Sequence, residues 1–92
     1  MARFLIEIRH SDDHEGCVRA LDAIARHGSH LVTHADFGCE DSVHVGWMIV
    51  DVDGVESARQ MVPPQFREDA KVVKLRNWTR EQIEEMMKGL ES

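Results

Sequence analysis

The sequence predicts an α+β fold of element order βαββαβ. A four-stranded antiparallel sheet of order 4-1-3-2 carries two helices on one face, and an extra helix follows at the C-terminus. Two observations predict it. Four segments show strand patterning, by alternation or by short β-branched runs, and the stretches between them show helical spacing or turn residues in the order used by split βαβ units. A length of 92 residues suits one domain, 1–92, able to form a core without disulfide staples.

Phe4, Ile6 and Ile8 alternate with Arg3, Leu5, Glu7 and Arg9, so the first strand is expected over about residues 2–10 with one strongly apolar face. Asp12 followed by Glu15 resembles a capping box. Cys17, Ala20, Leu21 and Ile24 then recur at helical spacing until Gly28 offers a stop. Strand-like runs from about Leu31 to Phe37 and from about Val43 to Val52 flank the turn-rich stretch Gly38 to Ser42, which reads as a hairpin. Asp53-Gly54 ends the third strand. Val55 to Met61 is a short helix closed by Pro63-Pro64, because proline lacks a donor and disfavours helix in the residue before it. Lys71 to Leu75 supplies the fourth strand. Thr79 and Gln82 form a second capping box, opening a helix over about residues 79–91 with Ile83, Met86, Met87 and Leu90 in a stripe.

Composition narrows the function classes. The formal charge is −6, and the scattered Lys and Arg form no basic stripe, which argues against nucleic acid as a partner. Protonating all six histidines would bring the formal charge to zero, favouring precipitation in mild acid. No segment is apolar enough to span a membrane, and the opening MARFLIEIRH lacks the marks of a secretory signal. A cytoplasmic protein with reduced thiols is therefore expected. Cys17 and Cys39 lack CxxC spacing and make no disulfide framework.

Element order resembles the ferredoxin-like fold. The extra terminal helix and the apolar open sheet face resemble the dimeric α+β barrel group of small, largely uncharacterised proteins. That resemblance covers nearly the whole chain at the level of fold pattern. It implies dimerisation through the sheets and activities such as lactone isomerisation, quinol oxygenation or haem degradation.

Strand parity sorts the side chains. With a hairpin centred near Glu40-Asp41, Phe37 would oppose His44, Ala35 would oppose Gly46 and Thr33 would oppose Met48, all joining Phe4, Ile6 and Ile8 beneath the helices. The other face would carry Leu5, Val32, Val45, Trp47 and Ile49 among Glu7, Arg9, His34 and Asp36. That apolar surface needs a cover, either a second copy or the chain's own last helix, and a homodimer is the expectation.

The topology also gathers His10, His14, Asp36, Cys39 and His44 at one end of the sheet, and two sites follow. On the open face His34 would be a catalytic base oriented by Asp36, with Trp47, Glu7, Arg9, His10 and His44 contacting a small organic substrate. Such a site suits an isomerase or a cofactor-independent oxygenase. Alternatively His10, His14, Cys39 and His44 hold a transition metal such as zinc, copper, iron or nickel in a non-catalytic binding or sensing protein. A structural or regulatory dimer, with solvated rim histidines and Trp47 and His34 as interface residues, accounts for the same sequence without any site.

Overall fold

The computed structural model describes residues 1–11, 13–27 and 35–91. In chain order these form β1 (Ala2–Arg9), α1 (His14–His27), β2 (Ala35–Phe37), a 3₁₀ turn (Cys39–Asp41), β3 (Val45–Val52), α2 (Val55–Gln60), α3 (Pro64–Arg67), β4 (Lys71–Leu75) and α4 (Arg80–Glu91). All strand pairs are antiparallel and the order across the sheet is β2-β3-β1-β4. This is the expected order read from the opposite edge.

Parity in β1 decides where the core lies. Phe4, Ile6 and Ile8 are buried in one cluster with Met48 of β3, Ile24 of α1, and Ala58 and Val62 of the α2 region. Ile6 is fully buried and central, so truncating it to Ala removes about 2–5 kcal/mol. Arg59 pins α2 to the approach of β4, its Nη1 donating to the carbonyls of Arg67 at 2.9 Å and Ala70 at 3.1 Å. The one-turn helix α3 starts at Pro64, where a missing N–H leaves no bond unmade. Arg67 donates to the carbonyls of Val62 and Gln60.

Local corrections have identifiable causes. The first strand stops at Arg9, although the His10 N–H still reaches the His44 carbonyl at 3.2 Å. Helix α1 is capped by Asp13, whose Oδ1 accepts from the Gly16 N–H at 2.7 Å. The Asp12 capping box lies outside the described residues. Leu21 is 40% exposed and the buried stripe is Cys17, Ala20 and Ile24, because the sheet covers only one narrow side of the helix.

The hairpin register is shifted by two residues from expectation: Phe37 opposes Gly46 and Ala35 opposes Met48. The reversal is longer than a tight turn. Its 3₁₀ segment is closed by bonds from the Gly38 N–H to the Val45 carbonyl and from the Val43 N–H to the Gly38 carbonyl. An even shift preserves the faces. It also puts the Phe37 ring directly over Gly46, where a Cβ would lie 2.6 Å from ring carbon Cε1.

The opposite face of the sheet carries an apolar row, Ile49–Leu5–Val73, and beside it a polar row, Asp36–Trp47–Glu7–Lys71. Ile49 and Val73 are about half exposed. Helix α4 does not cover them. It begins with a complete capping box, the Gln82 N–H donating to Thr79 Oγ1 at 3.1 Å and the Thr79 N–H to Gln82 Oε1 at 2.8 Å, yet none of its residues is buried. The radius of gyration is 16.6 Å, against about 12 Å for a compact chain of this length. No helix among the described residues is long and apolar enough to cross a membrane.

Candidate metal centre

Four side chains from four segments converge at one end of the sheet. His10 leaves β1, Cys17 stands on the buried face of α1, Cys39 opens the 3₁₀ turn, and His44 immediately precedes β3. One potential ligand atom from each lies within 4.8 Å of all the others. Cys17 Sγ is 3.1 Å from Cys39 Sγ and 3.3 Å from His44 Nδ1, and Cys39 Sγ is 3.3 Å from His10 Nε2. A tetrahedral ion with Zn–S bonds near 2.3 Å and Zn–N bonds near 2.0 Å requires ligand–ligand edges of about 3.3–3.8 Å. The two sulfur–nitrogen separations match those edges within a few tenths of an ångström, whereas the two sulfurs lie about 0.7 Å closer than a shared zinc would hold them and must move apart to take the ion.

Backbone geometry aims the ligands. The His10 N–H to His44 carbonyl bond ties the end of β1 to the start of β3, and the two rings meet edge to face with centroids 5.8 Å apart. His10 Nδ1 lies 3.2 Å from the Ser11 carbonyl. If Nδ1 carries the ring proton, that contact leaves Nε2 as a lone-pair donor facing Cys39, the usual support for a metal-bound imidazole. Ser11 is held in turn by Asp13 Oδ1 at 3.2 Å, and only a glycine at position 16 leaves room for the Ser11 side chain against the start of α1. The Gly16 N–H, with help from Ser11, holds the Asp13 carboxyl below its ordinary value despite some desolvation.

The electrostatics favour a cation. The Cys17 thiol donates to Cys39 Sγ, and that bond, ahead of burial and the negative charge of Cys39 and Asp13, pushes its pKa from 9.0 up to about 11. Two sulfurs this close resist carrying two negative charges together. A divalent cation between them reverses the balance, because a coordinating thiol is deprotonated outright.

Of the residues anticipated from the sequence, His10, Cys39 and His44 come together. His14 does not join them; it is exposed at the first position of α1 and lies outside the group. Its place is taken by Cys17, one turn further along, which helical periodicity marks as an apolar position of the helix. The available signal was positional: Cys17 begins the stripe Cys17–Ala20–Ile24, at the end of α1 that follows His10.

On the open face Asp36 opposes Trp47 and is exposed, and with Leu5 and Ile49 they line a hollow of about 220 Å³. His34 lies outside the described residues, as do Val32 and Thr33. Trp47 Nε1 donates to Glu7 Oε1 at 3.1 Å. Glu7 Oε2 has no hydrogen bond, only looser ionic contacts to Arg9 at 3.8 Å and Lys71 at 4.0 Å. Beside the four-ligand group, His10 and Phe66 also border a separate cleft of about 450 Å³ that includes Arg19 and Arg26.

Comparison with protein-family models, with curated proteins and with solved structures gives no match for the chain.

Proposed function

We propose that the chain binds one transition-metal ion, zinc foremost, through Cys17, Cys39, His10 and His44, and works as a non-catalytic metal-binding or metal-sensing protein. The convergence of four soft and borderline donors within 4.8 Å carries this reading. A donor set of two thiolates and two imidazoles matches zinc best, with copper, iron and nickel as competitors. Four protein ligands also fill the tetrahedron. Catalytic zinc keeps a position for water or substrate, so a complete set favours binding or sensing over hydrolysis. The alternative of proton transfer to a small organic substrate by His34 and Asp36 has only the Asp36–Trp47 hollow in its support.

The test is metal content of protein purified without an affinity tag, with four variants beside it. One zinc per chain is expected, lost in Cys17→Ser, in Cys39→Ser and in the His10→Ala, His44→Ala double variant, but kept in His14→Ala. Wild-type protein that neither carries nor takes up zinc at micromolar concentration overturns the reading.

A second copy of the chain is the proposed cover for the open sheet face, in keeping with the ferredoxin-like and dimeric α+β barrel resemblance. Two apolar surfaces left partly exposed among the described residues support it, the Ile49–Leu5–Val73 row and the α4 stripe of Ile83, Met86, Met87 and Leu90. A helix of 12 residues is marginal in water without packing. A two-fold pair would cover both surfaces at once.

A further inference from the structure

We propose that Cys17 and Cys39 form an oxidisable dithiol, a modification site at which a hydroperoxide closes a disulfide and dismantles the metal-ligand set. Release of the ion rests on the metal reading above; the dithiol itself rests on sulfur geometry. The two Sγ atoms already lie 3.1 Å apart, on segments separated by 22 positions, so joining them needs an approach of only about 1 Å.

Exposure assigns the two roles. Cys17 is buried and Cys39 is partly exposed in the 3₁₀ turn, so Cys39 is the sulfur that a peroxide reaches first. Its thiolate attacks one peroxide oxygen and breaks the O–O bond; the alkoxide or hydroxide leaving group takes a proton and departs as alcohol or water. Cys39 is left as a sulfenic acid. The Cys17 sulfur then attacks Cys39 Sγ, the S–O bond breaks, and the hydroxyl leaves as water with the Cys17 proton. In sum, two thiols and one hydroperoxide give one disulfide, one alcohol or water and one further water, with two electrons passing from sulfur to oxygen.

The consequence for metal follows from the ligand count. A disulfide sulfur is no longer a thiolate, so oxidation removes two of the four donors and leaves His10 and His44. The oxidised chain is expected to hold zinc more than about a hundredfold more weakly, exceeding what loss of a supporting contact alone costs. A reductant restores both thiols and the site. His10 and His44 flank the sulfurs without joining the bond, which makes metal affinity the readout of the oxidation state.

The experiment treats the full chain with hydrogen peroxide in two forms, chelator-stripped and zinc-loaded, then alkylates it and measures intact mass and free zinc. Stripped protein is expected to lose about 2 Da and both alkylation sites, reversibly with reductant. Zinc-loaded protein is expected to do the same while releasing its ion in step with the disulfide. Folded Cys17→Ser protein is expected to stop at an alkylation-resistant sulfenic acid or a disulfide between chains. Oxidation that runs to sulfinic and sulfonic acids without an intramolecular disulfide overturns the dithiol; a disulfide that leaves zinc bound overturns the sulfurs as its ligands, and with them the coupling of metal release to oxidation. Disulfide formation in a chain that never takes up zinc overturns the metal reading and upholds the dithiol.

Discussion

The Cys17 and Cys39 sulfurs meet at 3.1 Å across 22 positions of sequence, and the contact joins the first turn of α1 to the turn that links β2 and β3. A cation held there would staple helix to sheet. Ligand binding at a thousand times its dissociation constant stabilises by about 4 kcal/mol, which for a chain of this size moves the thermal midpoint by on the order of 15 °C or more. Scanning calorimetry with zinc and with chelator should show that gap. Superimposable transitions would mean that no ion bridges these segments.

Acidity of Cys17 gives a pH dependence with a definite sign. Folding raises its thiol pKa from 9.0 to about 11, so the folded chain holds that proton more tightly than the unfolded one. The resulting stability is complete below the unfolded value and is lost as pH rises through the folded value. The midpoint of chelator-treated protein should therefore fall between pH 9 and pH 11 in wild type and flatten in Cys17→Ser. Zinc-loaded protein, its thiols already deprotonated, should lack this alkaline decline, while its affinity weakens in acid as protons compete with the ion for its ligands.

Gly46 governs where Cys39 stands. A Cβ at this position would press on the Phe37 ring at 2.6 Å, pushing β2 and the following turn away from β3. Gly46→Ala should cost about 1–3 kcal/mol in urea unfolding and should weaken zinc binding. Adding Phe37→Leu should recover part of both losses, as expected of two residues in contact. Additive losses would place the defect elsewhere.

The Trp47–Glu7 bond on the open face is separable from the metal group. Trp47→Phe leaves Glu7 Oε1 without its 3.1 Å donor, an expected loss of about 1–3 kcal/mol. Glu7→Gln keeps an acceptor and gives up only contacts to Arg9 and Lys71, whose side chains are largely exposed, for an expected cost under about 1 kcal/mol. Neither change should alter zinc stoichiometry; chemical unfolding and metal titration together check both points.

Helix α4 yields the test of assembly. Sedimentation at micromolar concentration should give twice the 10.5 kDa of one chain, and Met86→Glu or Ile83→Glu should shift it toward a single chain with reduced ellipticity. A monomeric wild type would exclude the second copy as the cover of the Ile49–Leu5–Val73 row.

Much of this architecture was legible because hydrophobic periodicity encodes faces directly. Phe4, Ile6 and Ile8 fixed which side of β1 is buried, Lys71 to Leu75 marked β4 to the residue, and Thr79 with Gln82 announced the start of α4. The hairpin register was less legible. Parity is unchanged by a shift of two, and the length of the reversal depends on a 3₁₀ turn that leaves no apolar pattern. Three of the four clustered donors could be found from topology, since His10, Cys39 and His44 all adjoin strand ends. Cys17 was hidden by its chemistry: a thiol at a helical core position reads as a small hydrophobe until the opposite sulfur is seen beside it. Whether α4 lies on its own sheet was equally beyond the sequence, because its stripe fits either surface.

Metal analysis of tag-free protein beside its Cys17→Ser and His14→Ala variants bears most directly on the central claim. One zinc per chain in wild type and in His14→Ala, with none in Cys17→Ser, is the predicted result. Equal zinc content in wild type and Cys17→Ser, or a wild type devoid of metal after incubation with zinc, would contradict it.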